Sequence, residues 1–281
     1  MSKNFPSQSD IFRQTLQTHP LIEVPGCYDA FTAMVVEQVG YPSLFISGNC
    51  IAASVLGNPD IGLTSLVETS FVVKNVVKVV DIPVIVDIDD GYGDEHHVAR
   101  TIYEMERAGA AGVILEDLVS NKPCGQLNEK KILPLKDYMK KLERALHCRE
   151  TNLCVVARTD ESDVDKAIQR CKTYHQAGSD LTFIQGIGCL DALKKIGEHV
   201  PGRKILNIIL GGKTPILSAT EYEKLGFQVI LYPTMPLYVA GYALFKQMQQ
   251  LKNTQILSSI EDSLHQQEFQ NFIIERFLKR K

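Results

Sequence analysis

Eight short apolar runs, separated by longer segments that mostly carry helical spacing, leave this chain few architectures. We read strands at Leu21–Val24, Leu44–Ser47, Val84–Asp89, Gly112–Glu116, Leu153–Arg158, Leu181–Gln185, Lys204–Ile209 and Gln228–Tyr232. In the segment Val98–Ala108, the residues Val98, Ile102, Met105 and Ala108 fall on one helical face. Helix-stop signals follow at Ala108-Gly109 and Ala177-Gly178. Eight strands alternating with helices over roughly 250 residues is the pattern of a (β/α)₈ TIM barrel, an α/β fold. A doubly wound sheet competes but gives no reason for as many as eight strands. The expectation is a single barrel domain over 1–281, with 254–281 as a helical C-terminal extension.

Composition narrows the function. The chain has 281 residues, 44% of them hydrophobic, enough for a full core without disulfides. A net charge of −3 offers no electrostatic case for nucleic acid or an anionic membrane. Seven cysteines without a C-x-x-C pair suit reduced thiols, hence a cytoplasmic location. Neither a signal-peptide apolar region nor a run of eighteen apolar residues is expected to place the chain in a membrane.

The third run ends in Asp87-Ile88-Asp89-Asp90 and then Gly91-Tyr92-Gly93. On a strand, Asp87 and Asp89 face the same side. Two co-facing carboxylates repel unless a cation lies between them, and Mg²⁺ is the leading candidate. The competing account is a solvated acidic turn. In a barrel the chemistry sits at the carboxyl ends of the strands, which makes the other ends a test. The second ends in Ser47-Gly48-Asn49, the fourth in Glu116-Asp117 and the fifth in Arg158-Thr159-Asp160; the sixth ends in Gln185, and the seventh passes through Asn207. Acids, an arginine and amides on successive apolar strands describe a site for an anionic substrate chelated to a metal. Mg²⁺ and an arginine can stabilise the enolate oxygen that develops on an α-oxo acid.

Several motifs carry a resemblance. They are Pro25-Gly26-Cys27-Tyr28-Asp29-Ala30, Ser47-Gly48, Leu56-Gly57-Asn58-Pro59-Asp60, Asp87 through Gly93, and Glu104 through Val113, followed by Leu115-Glu116-Asp117, Lys122-Pro123-Cys124-Gly125 and Ala157-Arg158-Thr159-Asp160. The chain resembles the isocitrate lyase/phosphoenolpyruvate mutase superfamily, nearest its methylisocitrate lyase branch. The resemblance implies that Asp60, Asp87, Asp89 and Glu116 form a Mg²⁺ site, some of them through water. It implies that Ser47, Gly48 and Asn49 hold the α-oxo carboxylate, that Arg158 reaches its oxygens, and that Asn207 meets the other carboxylate. Lys122, Cys124, Gly125 and Gln126 would lie on a gating loop within Asn121–Leu135. There Cys124 would protonate the departing carbanion, helped by Lys122. The resemblance also implies a homodimer or homotetramer with the eighth helix swapped between subunits, giving the aromatics of the tail a partner surface.

Two departures stand out against that branch. Gln126 occupies a histidine position and Gln185 a glutamate position, and an amide neither takes nor gives a proton at neutral pH. The expected activity is Mg²⁺-dependent cleavage of a carbon–carbon bond in a 2-hydroxy di- or tricarboxylate, releasing pyruvate or a related α-oxo acid. The alternatives are carbon–phosphorus chemistry of the mutase and phosphonopyruvate hydrolase type, against which Cys124-Gly125 argues, and a catalytically weakened α-oxo acid binder, for which the two glutamines argue.

Overall fold

The computed structural model describes residues 7–119, 131–257 and 265–279. Two compact units make up the chain, Met1–Leu237 and Tyr238–Lys281. In the first, eight parallel strands close into a barrel in chain order. They are β1 (Ile22–Cys27), β2 (Leu44–Ile46), β3 (Val84–Asp87), β4 (Gly112–Glu116), β5 (Cys154–Thr159), β6 (Leu181–Ile184), β7 (Arg203–Asn207) and β8 (Val229–Tyr232). Helices α1 (Gln8–Thr18), α2 (Ala30–Val39), α3 (Gly48–Ile51), α4 (Leu66–Val77) and α5 (Glu95–Ala108) come first, with a π-helical turn, Ala52–Leu56, continuing α3. Then come α6 (Leu135–Cys148), α7 (Val164–Gln176), α8 (Leu190–His199) and α9 (Ala219–Lys224). Each expected strand is present, with its ends moved by a few residues. The expected stop at Gly109 is a left-handed cap with φ of 86°.

Two-residue alternation sorts the strand side chains into two cores. Val24, Phe45, Ile85, Ile114, Val156, Phe183, Ile205 and Leu231 share one cluster inside the barrel. Phe12 and Leu16 of α1 belong to that same cluster, so α1 stops the amino-terminal mouth. Arg13 fastens the plug with an ion pair to Asp180 at 2.8 Å. The other strand faces, among them Ile46, Val86, Val113, Leu115 and Val155, pack outwards on helix residues such as Ile102, Met105, Leu142 and Ile168. The same alternation places Asp87 two residues above Ile85, Glu116 above Ile114, Arg158 above Val156 and Asn207 above Ile205. The apolar interior layer is thus capped by the polar residues of the carboxyl mouth.

The second unit is helical. The helix Met235–Thr254 (α10) runs into it, and Gln266–Lys279 (α11) lies within the expected extension. No residue of α10 is buried, and Tyr238, Val239, Tyr242, Leu244 and Phe245 are exposed. Phe269, Phe272, Ile273 and Phe277 of the expected apolar pattern fall on α11; Ile260 and Leu264 lie outside the described residues. Among the described residues, no helix is long and apolar enough to cross a membrane.

Candidate active site

The acidic strand end is buried, which removes the solvated-turn account: Asp87, Asp89 and Glu116 are 6%, 5% and 0% exposed. One oxygen from each lies within 4.8 Å of the others. Asp89 joins the other two for a different reason than strand alternation. β3 ends at Asp87, and Asp89 has a left-handed φ of 50°. That turn is held by Asp89 N–H donating to Asp87 Oδ1 at 3.1 Å and by Glu116 N–H donating to the Asp89 carbonyl at 2.9 Å. The third acid goes elsewhere. Asp90 accepts from Lys141 Nζ through its carboxylate at 3.0 Å and through its carbonyl at 2.9 Å, which pins the turn to α6.

Arg158 faces the cluster from the neighbouring strand, in register with Glu116 on one side and Phe183 on the other. Its Nη1 is 3.1 Å from Glu116 Oε2 and 3.8 Å from Asp87 Oδ2. Nε and Nη2 donate to the two oxygens of Asp160 at 2.8 and 3.2 Å. The guanidinium also stands 5.4 Å from the centre of the Phe183 ring. Burial alone would weaken its charge, but Asp160, Glu116 and Asp87 outweigh burial and raise its pKa. Three carboxylates thus meet one guanidinium. At an effective dielectric of ~20, unit charges 4.8 Å apart repel by about 3.5 kcal/mol. A cation among Asp87, Asp89 and Glu116 relieves that repulsion. All three donors are hard carboxylate oxygens, the set that suits Mg²⁺ or Ca²⁺ rather than a soft metal. The cluster can hold a metal ion.

Two further strand ends complete the mouth. Asn207 Nδ2 donates to Gln185 Oε1 at 3.2 Å, and Gln185 N–H donates to the Thr159 carbonyl at 2.9 Å. Gly48 closes in on the aspartates, since a methyl on it would lie 3.3 Å from Asp89 Oδ1 and 3.4 Å from Asp87 Oδ2.

The family model described as phosphoenolpyruvate phosphomutase matches residues 12–252. The chain belongs to this family. It is 34% identical over 256 residues to the 2,3-dimethylmalate lyase of Eubacterium barkeri, covering 90% of this chain and 89% of that protein. It is 34% identical over 226 residues to the 2-methylisocitrate lyase of Aeropyrum pernix, covering 79% and 73%. A crystal structure of 2,3-dimethylmalate lyase matches with a TM-score of 0.90 at 27% identity, covering 98% of each chain.

Within this phosphoenolpyruvate phosphomutase family member, the expected site residues divide into groups. Asp87, Asp89, Glu116, Arg158 and Gly48 come together, and Gln185 pairs with Asn207. Ser47 is buried at the head of α3, with Asn49 half-buried beside it. Asp60 is not among the three whose oxygens lie within 4.8 Å of one another. It lies near the buried Cys50 thiol, whose pKa is pushed up to about 12 by burial, against Ser47 and with a contribution from Asp60. Lys122, Cys124, Gly125 and Gln126 lie outside the described residues. Asp160 carries no expected role, although a carboxylate two residues beyond an arginine at a strand end is a usable sequence signal. Arg170 and Tyr174, which bind Asp117 from α7, gave no sequence signal at a separation of more than fifty residues.

Proposed function

We propose that this chain is a Mg²⁺-dependent carbon–carbon lyase that cleaves a 2-hydroxy di- or tricarboxylate, methylisocitrate-like or alkylmalate-like, to pyruvate or a related α-oxo acid. The observation that carries the reading is the convergence of Asp87, Asp89 and Glu116 opposite Arg158. The names of the 2,3-dimethylmalate and 2-methylisocitrate lyases support the choice of reaction. Asp87, Asp89 and Glu116, together with Asp60, would hold the ion, several of them through water. When bound, Mg²⁺ supplies Lewis-acid stabilisation of the developing negative charge. Ser47, Gly48 and Asn49 hold the carboxylate of the α-oxo portion, and Arg158 donates to its oxygens. Gln185 and Asn207 meet the far carboxylate. The C2 hydroxyl passes its proton to solvent water as C2 becomes a carbonyl and the C2–C3 bond breaks; C3 keeps the electron pair until Cys124 protonates it, and the thiolate regains a proton from solvent. Lys122 favours that step by its charge, and Gly125 and Gln126 complete the loop.

The test mixes protein and Mg²⁺ with 2,3-dimethylmalate, 2-methylisocitrate and other alkylmalates in a lactate dehydrogenase-coupled assay. Pyruvate is expected from at least one acid; a folded protein that yields none from any of them ends the reading. Gln126→His with Gln185→Glu is expected to improve methylisocitrate cleavage if the native acid is another one. The family description itself favours a second reading, carbon–phosphorus chemistry, which phosphorus NMR of phosphonopyruvate with the protein tests directly. We further propose a cytoplasmic homodimer or homotetramer with the eighth helix exchanged. The exposed apolar face of α10 supports it, and sedimentation velocity measures it.

A further inference from the structure

Asp117 follows Glu116 directly but turns towards α7, and its side chain is fully buried. Its carboxylate accepts from Asp160 N–H at 3.0 Å, from Arg170 Nε at 2.8 Å and from Tyr174 Oη–H at 2.9 Å. Arg170 Nη2 donates to the Leu133 carbonyl at 2.7 Å, and Leu133 N–H donates to the Asp117 carbonyl at 2.8 Å. Asp117 N–H in turn donates to the Arg158 carbonyl at 3.1 Å. One largely buried ion pair, Asp117 fully enclosed and Arg170 partly so, therefore clasps three pieces of chain. They are the exit of β4, the turn after β5 and the segment 131–133 that leads into α6.

The clasp does not touch the carboxylate cluster. Its side chains reach the guanidinium through Asp160, whose backbone N–H rests on Asp117 while its carboxylate holds Arg158 by two hydrogen bonds. The guanidinium's direction is thus inherited from a backbone position that Asp117 sets. We propose that Asp117 and Arg170 are positioning residues for Arg158, acting through Asp160. The proposal rests on the assignment of Arg158 to substrate oxygens made above. Loss of the clasp lets the Asp160 turn drift, and a misplacement of ~1 Å at a reacting centre can lower the rate by about 100-fold.

A double-mutant cycle tests it. Wild type, Arg170→Met, Arg158→Lys and the double variant are compared by kcat/KM on whichever acid is cleaved. The same four are compared by the Kd of oxalate with Mg²⁺, measured calorimetrically. Arg170→Met is expected to lower kcat/KM by about tenfold and to weaken oxalate binding, with the double variant no worse than Arg158→Lys within about twofold. Losses that multiply in the double variant, or an unchanged Arg170→Met enzyme, overturn the proposal, because a purely structural clasp acts independently of Arg158. If Arg170→Met does not fold, Asp117→Asn, which keeps the shape and an acceptor for Asp160 N–H, takes its place in the cycle. An Arg158→Lys enzyme with full activity and oxalate affinity instead sinks the assignment of Arg158 itself. If no acid is cleaved, the oxalate arm alone decides the coupling.

Discussion

Gly48 shows how little room surrounds the two aspartates. A methyl there would lie 3.3 Å from Asp89 Oδ1, which must give by a few tenths of an ångström, and in contact with Asp87 Oδ2 at 3.4 Å. Gly48 opens α3 with a backbone outside the left-handed region, so alanine is conformationally admissible there. Gly48→Ala is therefore expected to fold while demanding at least several-fold more Mg²⁺ for activity. A Mg²⁺ titration beside a thermal melt checks both, and an unchanged metal requirement would contradict the crowding argument. The identity of Asp87, Asp89 and Glu116 as one group was readable from where apolar runs stop. The manner of their meeting was not. Alternation was the wrong geometry for Asp89, whose left-handed backbone is stabilised by contacts from Asp87 and Glu116 that no local pattern announces.

At the scale of elements, α6 and α7 each send one cation to a strand-exit carboxylate. Lys141 of α6 takes Asp90, and Arg170 of α7 takes Asp117. Both pairs sit behind the carboxyl mouth of the barrel and fix the turns that present Asp89 and Asp160. Lys141 and Asp90 are nearly closed off from water, each side chain 10% exposed. Breaking such a pair by removing one partner typically costs about 3–5 kcal/mol. Lys141→Met is expected to lose stability on that scale in urea denaturation, and Lys141→Met with Asp90→Asn to recover part of it. A loss under about 1 kcal/mol would mean the pair contributes no more than an exposed bridge. The alternation of strands and helices was legible because burial imposes its two periodicities along the whole chain. The sorting of Asp90 and Asp117 away from the metal acids was hidden, since each depends on a partner 51 or 53 residues distant.

For the whole molecule, the barrel stores many neutral acids in its walls. Burial raises the thiols of Cys27, Cys50, Cys154 and Cys171 and the phenols of Tyr138 and Tyr174, with Cys50 and Cys171 pushed up to about 12. A folded pKa above the unfolded one gives stability that is whole below the unfolded value and is lost as pH rises through the folded one. The unfolded chain begins to release these protons near pH 9 for thiols and 10 for phenols, while the folded chain keeps them. Each group then removes about 1.4 kcal/mol per pH unit. Lys204, lowered by burial, works in the opposite sense, but it is one group against six. The urea midpoint is expected to fall steeply between pH 9 and 11, and less steeply in Cys171→Ala; a flat profile there would refute the account. The plug formed by Phe12 and Leu16 has a kinetic consequence of its own. With one mouth stopped and the barrel axis filled, reactant and both fragments of a cleaved acid must share the other mouth, like traffic in a cul-de-sac. On the proposed function the α-oxo acid, bound deepest at Arg158 and the metal site, would depart last. It should therefore compete with the incoming acid in product-inhibition kinetics, whereas the other fragment should not.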